Sequence, residues 1–230
     1  MLALKQGLSL ESIRLQGSSS WLPSDDDNLE AWYQKAVGIT LNGSDVEDWE
    51  DSSVNSNTMR QDTEAQQPAY SAGTLTFDAT ASDFLSLAGA DITLSEAFTI
   101  GIKLLITSAG GIILGDTTVD GEFIKVFSSN KIRIKIDNTS AIDLQLDAGS
   151  LLGSEAVMIL SRASDDVISL SWNGTTQVAT DDLSGTADID AIGIRKDGLN
   201  PFDGTIEEIQ IYSATGDILV DNVYARLSSI

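Results

Sequence analysis

The sequence predicts an all-β protein, a two-sheet antiparallel β-sandwich, and three observations predict it. Short apolar segments separated by turn residues recur from Thr74 almost to the C-terminus, without a sustained helical period. Asn173-Gly174, set between Ser171-Trp172 and Thr175-Thr176, is the strongest two-residue hairpin signal in the chain and reads as a type I′ turn. The third is Phe202 to Tyr212, FDGTIEEIQIY, where an aspartate-glycine turn enters a long strand near the end of the chain. Its isoleucines do not alternate cleanly, because Ile206 is out of phase with Ile209 and Ile211. A β-bulge at Glu207-Glu208 returns all three to one face, since one extra residue resets a period of two. Such a strand suits a curved sheet that faces a second sheet.

Taken in order, residues 1–20 read as an extended N-terminal arm and 21–230 as the sandwich domain. Leu2, Leu4, Leu8, Leu10, Ile13 and Leu15 are spaced by polar residues and end in the flexible Gly17-Ser18-Ser19-Ser20. Two readings stand: a first strand or frayed end, or an arm that pairs with the sheet edge of another subunit. Trp21 to Asp51 is acidic, with nine carboxylates against Lys35 and with Trp32, Tyr33 and Trp49 inside it. A run of this kind reads first as a solvated face, then as a cation site or a surface for a basic partner. Ser52 to Ala72 lacks apolar periodicity and reads as a long surface loop.

Strands follow at Thr74–Phe77, Phe84–Leu87 and Phe98–Ile106, the last apolar enough to lie centrally. Gly111–Leu114 and Glu122–Phe127 come next. Lys131–Ile136, KIRIKI, alternates strictly, with three isoleucines on one face and Lys131, Arg133 and Lys135 on the other. Ala141–Leu146, Val157–Arg162 and Val167–Trp172 complete the series before the bulged strand, and a helical turn fits near Asp182-Leu183 and around Val220–Leu227. Phe77, Phe98, Ile100, Ile132, Ile134, Ile136, Ile168, Leu170, Ile209 and Ile211 are expected between the sheets.

Composition narrows the chemistry. The 230 residues suit one all-β domain, and 13 basic against 35 acidic residues give a net charge of −22. That field repels phosphate backbones and anionic lipid, so neither nucleic acid nor a membrane surface is an expected partner. Histidine and cysteine are both absent. The chain alone therefore builds no serine-histidine triad, cysteine nucleophile or zinc site. The first residues show no secretion-signal pattern, and no apolar run reaches the ~18 residues of a membrane span.

The order ITLNGSDVEDWEDSSVNSNTM, QQPAY, LTFDATASDFLSL, AFTIGIKLLI, ISLSWNGTTQVA and FDGTIEEIQIYS resembles the concanavalin A-like, laminin-G-like jelly roll over about Leu29 to Ser213. Trp49-Glu50-Asp51, Gln67-Pro68-Ala69-Tyr70, Phe77-Asp78 with Asp83-Phe84-Leu85, and Gly204 to Tyr212 stand at the family's motif positions. Ala79 replaces the usual glycine, so a different turn is expected there. The acidic, cysteine-free style also resembles modules of tailed-bacteriophage virion proteins.

What the resemblance implies is weighed on the residues. A glycosidase of this fold carries Glu-x-Asp-x-x-Glu on one strand, with carboxyl groups about 5–5.5 Å apart for retention. Asp45-Val46-Glu47-Asp48 and Glu207-Glu208 both lack that pattern, and no catalytic residue is assigned. Calcium needs 6–8 oxygen ligands; Asp78, Asp83, Asp116, Asp120 and Asp203 fall in predicted loops without forming a ligand set, and no cofactor is assigned. Trp32, Trp49 and Trp172 are expected in or over the core, not as a sugar platform. Lys131, Arg133 and Lys135 either protect an edge strand or meet the acidic Trp21–Asp51 region of a second copy.

The resulting expectation is a non-enzymatic virion structural protein, a capsid decoration or a head- or tail-associated surface protein, made in the host cytoplasm and carried on the phage particle. It is expected to form a homo-oligomer and to contact other virion proteins such as the major capsid protein, with Leu2, Leu4, Leu8, Leu10, Lys131, Arg133 and Lys135 as assembly contacts. The alternative is a lectin-like module for host glycans, with or without calcium.

Overall fold

The computed structural model describes residues 21–117, 121–137, 140–146, 149–195 and 198–230. The first strands are β1 (Leu29–Tyr33), β2 (Ile39–Asn42), β3 (Asp45–Trp49), β4 (Met59–Arg60), β5 (Ala69–Ser71) and β6 (Thr74–Phe77). β7 (Leu85–Leu87), β8 (Ile92–Leu94), β9 (Phe98–Ile106), β10 (Ile112–Asp116), β11 (Gly121–Ser128), β12 (Lys131–Ile136) and β13 (Ser140–Gln145) follow. The last are β14 (Glu155–Arg162), β15 (Val167–Trp172), β16 (Thr175–Asp182), β17 (Ala187–Ile189), β18 (Ala191–Ile192) and β19 (Gly204–Tyr212), and the helix α1 (Asp217–Ser228) ends the chain.

These strands form two curved antiparallel layers, a jelly-roll β-sandwich. Sheet I runs β1-β19-β9-β14-β15-β16. Sheet II runs β2-β3-β4-β7-β18-β10-β11-β12-β13. β5 and β6 carry sheet II over to β19 at the β3 end, so the layers join along that side. β8 and β17 make a separate two-stranded ribbon.

All ten residues expected between the sheets are buried in the main core. The bulge is where the phase break requires it, since the β19–β9 register shifts between Ile206 and Glu208 and puts Ile206, Ile209 and Ile211 in that core. Asn173 and Gly174 have φ of 50° and 80°, the left-handed pair of a type I′ turn. At Asp78 the turn closes without a glycine at Ala79: Thr80 donates to Asp78 through N and Oγ1, Asp78 N donates to Asp83, and the positive φ falls on Ser82.

Several expectations are corrected. The Trp21–Asp51 run is not simply a solvated face, because it forms β1 to β3 and buries Trp32, Tyr33, Val46 and Trp49. Val46 and Trp49 both face the core, although they are three apart, because the β2–β3 register shifts between Thr40 and Leu41. Within Ser52–Ala72, β4 and β5 interrupt the loop and Met59 is fully buried. β12 is not an edge strand, since β11 and β13 pair with it on either side. Near Asp182-Leu183 the chain ends β16 and forms no helical turn.

A third layer covers sheet I from outside. Leu219, Val223 and Leu227, spaced by four along α1, pack with Leu29, Trp32, Val157, Ile159 and Tyr212 in a second apolar cluster. Gly101 on the central strand β9 makes room, because a Cβ there would run into Val223 and Leu227. Arg162 is a buried clamp whose guanidinium donates to the carbonyls of Leu94, Glu96, Leu183 and Gly185 and lies 5.0 Å from the Phe98 ring centre.

Candidate functional site

Two outer faces carry the groups that sequence reading singled out. On sheet I, the bulge turns Glu207 and Glu208 to the same side, where both meet Lys35. Lys35 Nζ donates to Glu207 at 2.9 Å, and Lys35 N donates to Glu208 at 3.3 Å. Glu208 is fully buried and also accepts from Trp32 Nε1 (3.0 Å), Gln210 Nε2 (2.8 Å) and Arg226 Nε and Nη2 (3.1 and 3.0 Å). Tyr212 Oη donates to Gln210 Oε1, and burial pushes its phenol well above the ordinary range. Glu208, Gln210 and Tyr212 thus form a ladder at i, i+2 and i+4 on the strand, sealed beneath α1. Each carboxylate oxygen of Glu208 is occupied, and a retaining glycosidase needs a nucleophile open to its substrate.

The other paired carboxylates, Glu47 and Asp48, share Arg60 at 2.6 and 3.1 Å on the surface. Asp51 is structural: its carboxylate accepts from the N–H groups of Trp32, Ser53 and Asn57 and shapes the loop after β3.

On sheet II, no helix among the described residues packs on the outer face. Lys131, Arg133 and Lys135 alternate with the buried isoleucines of β12 and stand half-buried. Lys125 of β11 is registered against Arg133, which extends the row to a second strand. Arg133 grips Asp143 of β13 in a bidentate pair of 2.7 and 3.1 Å and holds that carboxyl below its ordinary range, chiefly through the hydrogen bond. The guanidinium lies 3.8 Å over the ring of Phe127, a residue 41% exposed. Sequence reading gave Lys131, Arg133 and Lys135 but missed Lys125 and Phe127, whose alternation with Ile124 and Val126 was the available signal. Leu2, Leu4, Leu8 and Leu10 lie outside the described residues.

The rim aspartates do not converge. Asp78 and Asp83 serve one turn; burial raises the Asp83 carboxyl, and the Thr80 hydrogen bonds lower Asp78. Asp190 accepts from Thr117 N and Oγ1 and is raised by burial and by the nearby Asp116 and Asp91. Asp120 lies outside the described residues. Among the described residues, no group of three or more acidic side chains is arranged to hold a metal ion.

Trp32, Trp49 and Trp172 are buried, as expected, so none is a stacking platform. A cleft of 590 Å³ opens beside the start of α1, lined by Ser161, Ser169, Thr176, Thr215 and Asp217 among others. A second of 500 Å³ lies across the same helix start, with Asp26, Asn28 and Asn222 in its wall.

No protein-family model matches the sequence, and the comparison with curated proteins finds no match. The fold, in contrast, is widely shared. The binding domain of paraclostridial mosquitocidal protein 1 superposes at TM-score 0.58 and 13% identity over 90% of this chain and 53% of that one. The binding domain of botulinum neurotoxin serotype D/C gives 0.56 and 9% over the same shares. Domain 4 of AbnA, an extracellular arabinanase of Geobacillus stearothermophilus in complex with arabinotriose, gives 0.58 and 16% over 85% of this chain and 98% of that domain. The chain spans about half the length of the toxin binding domains it matches. At these identities the likeness is one of fold.

Proposed function

We propose that this chain is a non-catalytic surface module of a tailed-phage particle, fixed to other virion proteins by its N-terminal arm and its charged faces. The observation that carries the proposal is the contrast between its two outer faces. The face with adjacent glutamates is covered by α1, whereas the outer face of sheet II carries a row of cations, Arg133 among them paired with Asp143, on a protein of charge −22. Surfaces of that kind steer and register a macromolecular contact. The spaced leucines of residues 1–15 bury apolar surface most readily on a partner's sheet edge.

The test is deletion of residues 1–16 in the phage genome. The truncated protein is expected to keep its far-ultraviolet circular dichroism and melting midpoint and to be missing from purified particles by mass spectrometry. Unchanged incorporation, or absence of the full-length protein from particles, would overturn the proposal.

A second reading, glycan binding, is favoured by the fold shared with nearly the whole of the arabinotriose-bound arabinanase domain and by the two clefts at the start of α1. Those clefts supply hydroxyl and carboxylate partners for sugar hydroxyls but no stacking tryptophan. Glycan-array binding, measured with and without a chelator, separates this reading from the first.

A further inference from the structure

The two layers are joined on one side and stand apart on the other. β5 and β6 carry sheet II across to β19, whereas β13 ends sheet II and β16 ends sheet I at the opposite side. Among the described residues, β12 is the one strand paired with β13, and β15 the one paired with β16. Pairing alternates outward from the Asn173-Gly174 turn, which Trp172 and Thr175 close as a hydrogen-bonded pair, so the backbone N–H and C=O of Thr176 and Val178 point away from β15. A groove of 220 Å³ lies between the two edges, with Ile142, Leu144, Val178 and Ala179 in its wall and Asp143 and Asp181 along it. Ile142 and Ala179 are only half-buried at the margin of the main core, and Val178 is 59% exposed.

The other ends of the sheets are finished differently. Beyond β1, the Glu30 carbonyl accepts from Asn55 Nδ2 and Asn57 Nδ2, both at 3.0 Å, and the Trp32 N–H and C=O are taken by the Asp51 carboxylate and Ser52 N. β2 has four residues, and edges that short pair weakly. β16 runs for eight, an edge long enough for an added strand. On the assembly reading above, we infer that the β13–β16 groove receives residues 2–10 of the N-terminal arm of a second copy, added as a strand on β16. The sequence of that segment fits the site. Leu2, Leu4, Leu8 and Leu10 fall on one face of an extended strand and Ala3, Lys5, Gly7 and Ser9 on the other, so one face covers Ile142 and Ala179 while small or polar residues meet water. Residues 2–10 also carry Lys5 and no carboxylate in a chain with 35 acidic residues, which suits a groove edged by Asp181 and by the Arg133-bound Asp143. Reach favours a second copy over the chain's own arm. The domain begins at Trp21, whose ring centre lies 6.4 Å from that of Tyr212 on β19, four strand steps or roughly 19 Å from β16. α1 packs on β9 and β14 in between, and crossing a helix of ~10 Å diameter lengthens that path to roughly 40 Å. Residues 11–20 span at most about 33 Å when fully extended.

The experiment uses the full chain, which has no cysteine, so Ser9→Cys takes a nitroxide label at a single place. Spin-labelled chain is mixed with isotope-labelled wild type, and the amide signals of the isotope-labelled copy are followed by nuclear magnetic resonance. Broadening is expected at residues 141–145 and 176–181, and light scattering at the same concentration should show more than one copy. Val178→Pro in the isotope-labelled chain removes an outward N–H from an edge strand, a position where proline is compatible with the fold. It should abolish the broadening and leave the circular dichroism spectrum unchanged. Leu4→Ser with Leu8→Ser in the spin-labelled chain alters no residue of the domain and should abolish the broadening as well, which decides the question even where proline disturbs β16. Broadening that is absent, that falls on other strands, that needs both labels on one chain, or that survives the two serine substitutions would each overturn the inference. The need for the arm in particles is read separately by the truncation, so the assembly reading and the groove can each fail alone.

Discussion

β12 and β19 are built on the same plan and end in opposite environments. Each sends three isoleucines into the core and a polar row outward, Lys131, Arg133 and Lys135 on one and Glu208, Gln210 and Tyr212 on the other. Each row holds a bidentate arginine–carboxylate pair, Arg133–Asp143 at 2.7 and 3.1 Å and Arg226–Glu208 at 3.1 and 3.0 Å. The first pair has side chains 28% and 29% exposed, while in the second Glu208 is wholly buried and Arg226 is 20% exposed. The difference lies in the cover. An alternating strand tells which side chains leave the core, and it takes a distant segment to decide whether they reach water.

Removing one partner from each pair is the sharpest way to test that contrast. Arg226→Met leaves the Glu208 carboxylate buried with neutral donors and no countercharge, and should cost about 3–5 kcal/mol. Adding Glu208→Gln in the same chain should recover a good part of that loss, because no unpaired charge then remains under the helix. Urea midpoints with unchanged slope would measure both. A single-mutant loss under about 1 kcal/mol would mean that water reaches Glu208 and that the two faces are alike.

A smaller effect should come from the helix seat itself. Gly101→Ala places a methyl against Val223 and at 2.9 Å from Leu227 Cδ1, so α1 must shift from the sheet. Overpacking of this kind costs about 1–3 kcal/mol. Gly89→Ala is the control, since nothing lies within 4 Å of its added carbon and its change should stay within about 0.5 kcal/mol. Equal melting midpoints for the two variants would show that α1 does not press on the sheet as described.

What the sequence made legible follows from which signals were local. The alternation in KIRIKI, the phase break across Ile206 and Ile209 and the Asn173-Gly174 pair are each decided within a few residues, and each is found in the fold. The acidic run was harder, because the β2–β3 irregularity breaks the alternation between Val46 and Trp49, and the nine carboxylates of Trp21–Asp51 conceal the buried Trp32, Tyr33, Val46 and Trp49. The cover over β19 was least legible. In α1, Leu219, Val223 and Leu227 do repeat by four, but the 79%-exposed Ile218 blurs the stripe, and nothing local joins Arg226 to Glu208 or Trp32 to either. Lys131, Arg133 and Lys135 were found as a row, yet whether that row borders an edge depended on β13, a long-range pairing.

The smallest expected effect is at the outer face of sheet II. Arg133→Ala removes both hydrogen bonds to Asp143 and the stacking on Phe127, but water replaces them, so folding stability should change by about 0–1 kcal/mol. A titration is the more sensitive measurement. In the wild type the Arg133 hydrogen bond holds the Asp143 carboxyl below the ordinary value near 3.9, with desolvation opposing it. A carboxyl with a depressed folded value adds stability above its unfolded value and loses that contribution as pH falls through the folded one. The Asp143 carboxyl carbon, followed by nuclear magnetic resonance, should therefore titrate at higher pH in Arg133→Ala than in the wild type. The variant's stability should also fall less steeply with acid, because the proton uptake that distinguishes the two states has been reduced. If Asp143 titrates at the same pH in both proteins, the pair is not formed in solution, and the outer face of sheet II is a row of solvated charges without the internal order that sets it beside its covered counterpart.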